Sequence, residues 1–214
     1  MINIKICGIT QVDQAAQISR LRINSIGCII AADSPRSVTL DRAKEIFDAC
    51  SSSVTKVLVC VNETSEDVHQ YMKYTGAQVV QLHGEETPEY CSEIQFPLIK
   101  AIPISNDVDI KQIEPYIPIS IGILCDASDP KLRGGTGKTI PWEKVAELSL
   151  HCKSLILSGG ISPDNIQDAL RQSHCENIDV NSGVEKEPGI KDLEKINKLI
   201  RNIKEYELKN KESS

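Results

Sequence analysis

The hydrophobic residues of the chain fall into eight short runs that alternate with segments of helical spacing. Isoleucine and valine dominate the runs, which are mostly continuous, and this pattern is typical of parallel strands that are covered on both faces. The predicted strands cover residues 2–7, 25–30, 56–61, 78–83, 98–102, 119–127, 154–158 and 177–181. Strand and helix therefore repeat eight times, at roughly 25 residues for each unit.

This regular alternation of strand and helix predicts a parallel α/β fold. Eight repeats favour a single (β/α)8 TIM barrel with parallel strands, and an open doubly wound sheet is the alternative. No linker, low-complexity tract or change of composition divides the sequence. We therefore expect one barrel domain over residues 1–208 and a polar C-terminal tail over residues 209–214.

Four helices have start signals in the sequence. Thr10 and Thr64 each precede an acidic first turn, and Thr87 and Ser162 each precede a proline at a predicted first helical position. The last helix is expected from about residue 190 to about residue 207, before the polar tail.

Composition and charge narrow the class of protein. Hydrophobic residues make up 40% and charged residues 25% of the 214 residues, which is ordinary for a soluble globular protein and excludes disorder as the main state. The net charge of −6 offers no electrostatic footprint for nucleic acid or acidic lipid. No stretch approaches the roughly 18 apolar residues of a membrane span, and the N-terminus lacks the apolar core of a signal peptide. A cytoplasmic protein with no membrane or nucleic-acid partner is therefore expected.

The cysteines and histidines do not form metal or disulfide patterns. The chain has eight cysteines but no CxxC pair, and four of the cysteines lie in strand-like runs. This usage predicts reduced, buried thiols. The four histidines are scattered without metal-ligand spacing, so no metal is expected.

Glycine and polar residues concentrate just after the predicted strands, where parallel α/β folds place their active sites. Gly159-Gly160 follows strand 7 and Ser182-Gly183 follows strand 8. In barrels these two loops often bind phosphate through backbone N–H groups, and glycine lets the backbone approach an anion closely. We interpret them as a phosphate site. The alternative is that these glycines only make tight turns.

Two strand ends carry residues suited to acid–base chemistry. Cys7, at the end of strand 1, is a candidate base or nucleophile if nearby positive charge lowers its pKa, and otherwise a small core residue. Asp126, at the end of strand 6, is a candidate general acid because partial burial favours the protonated carboxyl. The alternative for Asp126 is a helix cap or a partner in an ion pair.

Other strand ends carry candidate ligand contacts. The guanidinium of Arg36, in a Ser-Pro-Arg loop, suits a carboxylate or a phosphate, although a lone arginine is more often a surface charge. Gln81 and His83 lie at the end of strand 4. His83 either contacts a ligand or is a core histidine with satisfied hydrogen bonds.

Taken together and in order, several segments resemble the phosphoribosylanthranilate isomerase family of tryptophan biosynthesis. They extend from residue 5 to residue 192 and so cover nearly all of the chain. The segments are Lys5-Ile6-Cys7-Gly8-Ile9-Thr10, Ser34-Pro35-Arg36, Val80-Gln81-Leu82-His83-Gly84, Gly134-Gly135-Thr136-Gly137-Lys138-Thr139 with Trp142, Leu157-Ser158-Gly159-Gly160-Ile161, and Asn181-Ser182-Gly183-Val184-Glu185 with Pro188-Gly189-Ile190-Lys191-Asp192.

The resemblance implies an Amadori rearrangement that uses no cofactor. N-(5-phosphoribosyl)anthranilate would become 1-(2-carboxyphenylamino)-1-deoxyribulose 5-phosphate, with Cys7 as general base and Asp126 as general acid. Arg36 would hold the anthranilate carboxylate, and the other implied substrate-binding residues are Gln81, His83, Gly135, Gly159, Gly160, Ser182 and Gly183. The expected partner is this small phosphorylated substrate. A monomer is expected, with a homodimer or a complex with a neighbouring pathway enzyme as alternatives.

Two positions depart from the family pattern. Strand 2 contains Gly27-Cys28-Ile29-Ile30 where the family usually carries phenylalanines, so the pocket wall near Arg36 is expected to differ. Asp33 precedes the Ser-Pro-Arg loop where a basic or neutral residue is commoner, and it could compete for Arg36.

Two other classes of function, another barrel enzyme and a binding protein, fit a phosphate-binding barrel. A sugar-phosphate epimerase or an indole-glycerol-phosphate synthase would share the architecture. Metal-dependent epimerases, however, need histidines and acids at several strand ends, and strand 2 here ends without a histidine. A phospholigand sensor without catalytic activity would be favoured if Cys7 or Asp126 were missing, and both are present.

Overall fold

The computed structural model of the protein describes residues 1–30, 33–105, 107–126, 141–152 and 154–212. Eight parallel strands form a closed barrel in chain order, which confirms the predicted (β/α)8 fold. They are β1 (Asn3–Ile6), β2 (Ser25–Ile29), β3 (Thr55–Cys60), β4 (Val79–Leu82), β5 (Leu98–Pro103), β6 (Gly122–Asp126), β7 (Leu155–Leu157) and β8 (Asn177–Val180). The barrel closes where β8 pairs with β1, from Asn3 opposite Asn177 to Ile6 opposite Val180.

Helices follow the strands and cover the outside of the barrel. They are α1 (Val12–Ile18), α2 (Leu40–Ala49), α3 (Ser65–Thr75), α4 (Pro88–Glu93), α5 (Ile110–Ile113), α6 (Trp142–Ser149), α7 (Ile166–Ser173) and α8 (Leu193–Glu212), with 3₁₀ helices at Glu114–Ile119 and Ser182–Val184. Within the described part of the chain, no helix is long and apolar enough to cross a membrane.

Two of the predicted helix starts are confirmed by their side-chain caps. Thr64 accepts a hydrogen bond from the backbone N–H of Asp67 at the start of α3. Thr87 accepts one from the N–H of Tyr90 at the start of α4, where Pro88 is the first helical residue. Each cap satisfies one of the N–H groups that a helix start leaves without an intrahelical partner.

The other two predicted starts are wrong, because the threonine and the serine are engaged elsewhere. Helix α1 begins at Val12 after Gln11, and Thr10 Oγ1 instead donates to the Gly189 carbonyl at 2.6 Å. Helix α7 begins at Ile166, because Ser162 lies in a turn in which its N–H donates to Asn165 Oδ1 at 2.8 Å.

Two element boundaries also differ from the prediction. Strand β6 begins at Gly122 rather than at residue 119, because the preceding residues form a 3₁₀ helix. The last helix begins at Leu193 and continues to Glu212. The first two residues expected in that helix instead form β10 (Ile190–Lys191), which pairs with β9 (Glu185–Glu187) in an antiparallel hairpin.

The barrel interior carries an apolar cluster and a polar cluster. The apolar cluster is formed by Val57, Val79, Ile99, Ala101 and Leu124 with the half-buried Ile156. The polar cluster contains the buried side chains of Lys5, Gln81 and Asp179. A larger apolar core fills the space between strands and helices. Buried charges must be paired, and this polar cluster adjoins the carboxyl ends of the strands.

Candidate active site

The predicted catalytic and ligand-binding side chains of four strands meet at the carboxyl end of the barrel. Cys7 follows β1, Arg36 lies in the loop after β2, His83 follows β4, and Asp126 is the last residue of β6. Side chains two apart on a strand face the same side. Lys5 and Cys7 therefore face the same side of the sheet, and so do Gln81 and His83. In each pair the first side chain lies in the barrel interior and the second lies at its carboxyl end.

Cys7 is buried beside the ammonium group of Lys5. A β-carbon added at Gly27 would lie 2.8 Å from Cys7 Sγ and 3.3 Å from Lys5 Nζ, so both atoms crowd the same point of the interior. Only glycine leaves room for them there.

The condition that the sequence sets for Cys7 as a base, a pKa lowered by nearby positive charge, is not met in the unliganded protein. Burial raises the pKa of the Cys7 thiol above its ordinary value of 9.0, and the Asp179 carboxylate adds to the rise. The ammonium groups of Lys5 and Lys191 supply the expected positive charge, but they do not outweigh burial. In the unliganded protein Cys7 is therefore mainly a thiol at neutral pH.

Lys5 is held in the barrel interior by two partners. Its Nζ donates to Asp179 Oδ2 at 2.7 Å and to Gln81 Oε1 at 2.8 Å, and both side chains of the ion pair are 5% exposed. Burial disfavours the ammonium form, but the interactions with Asp179 and Cys7 together outweigh burial and raise the pKa of Lys5 above its ordinary value. Lys5 is therefore a permanent positive charge beside Cys7.

A second set of hydrogen bonds joins β4 to Asp126. Gln81 Nε2 lies 3.0 Å from His83 Nδ1, and His83 Nε2 lies 2.9 Å from Asp126 Oδ2. The His83 side chain is 30% exposed and the Asp126 side chain 18%. His83 thus has both ring nitrogens hydrogen-bonded, and its side chain stays partly exposed beyond the end of β4. Among the described residues, Asp126 pairs with His83.

Arg36 is a buried residue, not a surface charge. Its Nε and Nη2 donate to the two carboxylate oxygens of Glu185 at 2.9, 3.1 and 2.8 Å. Asp33 is exposed, and among the described residues Arg36 forms its ion pair with Glu185 rather than with Asp33. The expected competition from Asp33 is therefore absent from this arrangement.

Glu185 also binds a second cation, Lys191, whose Nζ lies 2.8 Å from its Oε1. Burial alone would raise the pKa of Glu185, but the Arg36 guanidinium and the Lys191 ammonium hold it below its ordinary value. Burial lowers the pKa of Lys191. Two cations thus share one carboxylate, which leaves this side of the site with a positive surplus that suits an anion.

The glycine-rich loops after β7 and β8 lie against each other. Gly159 and Gly160 both have positive φ, at 82° and 66°. A β-carbon at Gly183 would lie 1.9 Å from the carbonyl oxygen of Ile161, so any other residue there would separate the loops. Among the described residues, the N–H groups of Gly160, Ser182 and Gly183 donate no hydrogen bond. Unpaired N–H groups on adjoining loops can bind phosphate.

One predicted ligand residue cannot be placed. Gly135, in the glycine-rich segment after β6, lies outside the described residues. Within the described ranges, no group of three or more His, Cys, Asp or Glu side chains is arranged to hold a metal ion. All eight cysteines are free thiols, and seven of them are buried.

Four charged residues that support this site are not singled out by the sequence, namely Lys5, Asp179, Glu185 and Lys191. The signal that could have found two of them is a charge inside an otherwise apolar strand, as in Ile4-Lys5-Ile6 and Ile178-Asp179-Val180. Such a charge must be paired in the folded protein. Glu185 and Lys191 offer no such signal, because they lie in the short hairpin that was expected to be loop and helix.

A closed (β/α)8 barrel with a thiol, a carboxyl and paired glycine loops at its carboxyl end is typical of the class of barrel enzymes that act on phosphorylated ligands. The comparisons with known proteins narrow this class. A family profile described as N-(5'-phosphoribosyl)anthranilate (PRA) isomerase matches residues 4–202. The chain belongs to this family and is therefore an isomerase of tryptophan biosynthesis. This assignment decides against an epimerase, an indole-glycerol-phosphate synthase or a phospholigand sensor.

Individual relatives match over almost their full length. The chain is 39% identical to the N-(5'-phosphoribosyl)anthranilate isomerase of Rippkaea orientalis, over 97% of this chain and 99% of that protein. Among solved structures, the phosphoribosylanthranilate isomerase of Thermotoga maritima is 34% identical with a TM-score of 0.86, covering 95% of this chain and 99% of that one. A structure of such an isomerase in complex with reduced 1-(o-carboxyphenylamino)-1-deoxyribulose 5-phosphate is 31% identical with a TM-score of 0.83, at the same coverage.

Proposed function

We propose that the protein converts N-(5-phosphoribosyl)anthranilate to 1-(2-carboxyphenylamino)-1-deoxyribulose 5-phosphate, with Cys7 as general base and Asp126 as general acid. No cofactor takes part in the proposed reaction. The observation that carries the proposal is the position of these two groups, since Cys7 follows β1 and Asp126 ends β6 on different walls of one barrel mouth. A substrate that lies across the mouth can therefore meet an acid and a base at once.

The substrate would be held by its two anionic ends. Glu185 takes the Nε and Nη2 edge of Arg36, so the edge formed by Nη1 and Nη2 is the one that would receive the anthranilate carboxylate. The N–H groups of Gly159, Gly160, Ser182 and Gly183 would receive the phosphate. Gln81 and His83 would support the ribose part of the pocket, and Gly135 would complete it from the segment after β6.

The first step proposed is opening of the ribose ring. Protonated Asp126 gives its proton to the ring oxygen, the bond from that oxygen to C1 breaks, and the nitrogen lone pair forms the C1=N bond of a protonated Schiff base. Oriented proton donors of this kind typically accelerate a reaction by about 10²- to 10⁴-fold.

The second step is proton removal at C2. Cys7 as thiolate accepts the C2 proton, the C–H electrons form the C1=C2 bond, and the C1=N electrons return to nitrogen. The resulting enolamine becomes the ketone when its C2 hydroxyl loses a proton and C1 gains one. Because burial raises the pKa of Cys7, the reactive form with thiolate and carboxylic acid together is a minority species of the coupled pair.

The test is turnover of freshly prepared N-(5-phosphoribosyl)anthranilate, followed as loss of anthranilate fluorescence. Cys7→Ser and Asp126→Asn should each lower kcat by at least about 10²-fold, while affinity for the product stays within a few-fold. Near-normal turnover by either variant would remove that residue from the mechanism. The same assay with Cys50→Ser, a half-buried cysteine at the end of α2, controls for loss of a thiol as such.

The catalytic domain is proposed to be residues 1–208, working in the cytoplasm as a monomer. A homodimer is the main alternative, because a structure of the Thermotoga maritima isomerase is described as monomers generated from a dimeric enzyme. Sedimentation of the purified protein distinguishes the two.

A further inference from the structure

A continuous chain of hydrogen bonds crosses the barrel from β1 to the end of β6. Lys5 Nζ lies 2.8 Å from Gln81 Oε1, Gln81 Nε2 lies 3.0 Å from His83 Nδ1, and His83 Nε2 lies 2.9 Å from Asp126 Oδ2. The chain begins beside the proposed base, because Lys5 and Cys7 crowd the same interior point. It ends on the proposed acid.

The direction of this chain follows from its first member. An ammonium group can only donate hydrogen bonds, so Gln81 must turn its carbonyl oxygen toward Lys5. The amide nitrogen of Gln81 then faces His83, and an amide nitrogen also only donates. His83 Nδ1 must therefore accept and carries no proton. The neutral ring has its proton on Nε2, which donates to Asp126 Oδ2.

The anchor of the chain is fixed by burial and charge. Lys5 remains an ammonium because Asp179 lies 2.7 Å away in an interior where both side chains are 5% exposed. One oxygen of Asp179, Oδ1, has no hydrogen-bond partner among the described residues. A buried ion pair is costly, and this one is not fully satisfied. A buried ion pair of this kind is weak evidence for a stabilising role. The Lys5–Asp179 pair is better explained by a role in holding the hydrogen-bond chain.

We propose that Lys5 and Gln81 are positioning residues that hold His83 as the neutral Nε2–H tautomer, so that His83 orients the carboxyl group of Asp126. The proposal deepens the proposed function, and its catalytic part rests on Asp126 being the acid. The hydrogen bond from His83 occupies Oδ2. That bond orients the carboxyl group that gives its proton to the substrate.

The same contacts disfavour the imidazolium form of His83. A second ring proton would lie on Nδ1 and face the amide hydrogens of Gln81, so that two donors would meet with no acceptor between them. The neutral ring therefore donates through Nε2–H to Asp126 Oδ2.

The test is ¹⁵N NMR of the histidine rings of the unliganded protein near neutral pH, where tautomers give distinct nitrogen shifts. The chain has four histidines, and the His83→Gln variant identifies the signals of His83. We expect protonated Nε2 and unprotonated Nδ1 in the natural protein. In Gln81→Leu, Nδ1 should gain proton occupancy because the opposing donor is gone. In Gln81→Glu, which has nearly the same shape, carboxylates flank the ring on both sides and the imidazolium should form.

Kinetics then test the link to Asp126. Gln81→Leu and Gln81→Glu should each lower kcat by at least about tenfold, within the contribution of an oriented general acid. The matched control is Gln78→Leu just before β4, where Gln78 is exposed and accepts from a backbone N–H of Lys56 at 3.1 Å. It should keep both the His83 signals and kcat.

A protonated Nδ1 in the natural protein, or His83 signals unchanged in both Gln81 variants, would overturn the proposal. Altered signals with unchanged kcat would overturn the positioning of Asp126. The NMR measurement needs no substrate, so its result does not depend on whether the protein is active in the isomerase assay. Failure of the proposed function and failure of this inference are thus distinguishable.

Discussion

Arg36 and Glu185 form a bidentate ion pair in which the guanidinium uses its Nε and Nη2 donors, at 2.8 to 3.1 Å. The two residues are 149 positions apart, and the pair holds the loop after β2 against the hairpin of β9 and β10. An arginine that is bound along one edge is pre-oriented. Less rotamer entropy is then lost when its other edge binds a carboxylate.

We expect Arg36→Ala to weaken binding of a product analogue by about 10- to 150-fold. This loss corresponds to about 1.5–3 kcal/mol, which is typical of a hydrogen bond to a charged group. Isothermal titration calorimetry against the carboxylated analogue and its decarboxylated counterpart measures the effect. Only the carboxylated ligand should lose affinity. Equal losses for both would assign Arg36 to loop structure or phosphate binding. Arg20→Ala, at an exposed arginine after α1, should change neither.

Cys7 should titrate above the ordinary pKa of a thiol. Burial and the Asp179 carboxylate raise the pKa of Cys7 above 9.0. Thiolate is therefore scarce at pH 7, and it becomes the main form only above pH 9. The ultraviolet absorbance of thiolate, taken as the difference between the natural protein and Cys7→Ser, measures this titration. A difference midpoint at or below pH 9 would contradict the expectation. Lys5→Met removes an opposing positive charge and should move the midpoint higher still.

The close contact of the two glycine-rich loops predicts a selective loss of phosphate affinity. In Gly183→Ala the new β-carbon would lie 1.9 Å from the Ile161 carbonyl, so the loops must separate and their N–H groups cannot converge on one anion. We expect inorganic phosphate and the phosphorylated product to bind at least about tenfold more weakly, since a hydrogen bond to a charged group is worth about 1.5–3 kcal/mol.

The control for this variant is Gly76→Ala, at the end of α3. Gly76 has φ +69°, but a β-carbon there would meet nothing within 4 Å. This change should cost about 1 kcal/mol of folding free energy through backbone strain and leave phosphate affinity unchanged. If both variants bound phosphate equally well, the loops would not be the phosphate site.

The fold could be predicted because its signal is local. Ile and Val dominate most of the strand runs, and the eight-fold repeat is visible without any knowledge of contacts. The errors occur where distant residues determine the structure. Thr10 bonds to Gly189 rather than capping α1, and Ile190–Lys191 pairs with Glu185–Glu187 rather than starting α8. Neither contact leaves a trace in local sequence.

The candidate site was predictable to a similar degree. Cys7, Asp126 and the glycines were located by their position just after strands. Their electrostatic partners were not, because the Lys5–Asp179 pair joins residues 174 positions apart. The pKa of Cys7 could not be predicted for a related reason, because only the fold shows how completely the thiol is buried.

Glu86 and Lys100 form a buried ion pair that fixes the loop after β4, next to His83. Lys100 Nζ lies 2.7 Å from Glu86 Oε2, and each side chain is 3% exposed. Glu86 also accepts from the N–H groups of Asn62 and Gly84, both at 2.9 Å. Glu86→Gln leaves the Lys100 ammonium buried without its counter-charge. We expect it to lower the free energy of unfolding by about 3–5 kcal/mol, measured by urea denaturation at pH 7. Glu85→Gln, at the exposed neighbouring position, should have no measurable effect.

The cost of Glu86→Gln should shrink in acid. Burial alone would raise the pKa of Glu86, but the Lys100 ammonium and the backbone N–H donors hold it below its ordinary value of 4.5. Protonation therefore favours the unfolded chain, and the stabilisation by the Glu86 carboxylate is complete above pH 4.5 and is lost as the pH falls below it. Urea denaturation of the natural protein and the variant, repeated from pH 7 down to pH 3, measures the difference. The two curves should converge toward low pH. A constant difference across the range would mean that Glu86 stabilises the loop by packing rather than by charge.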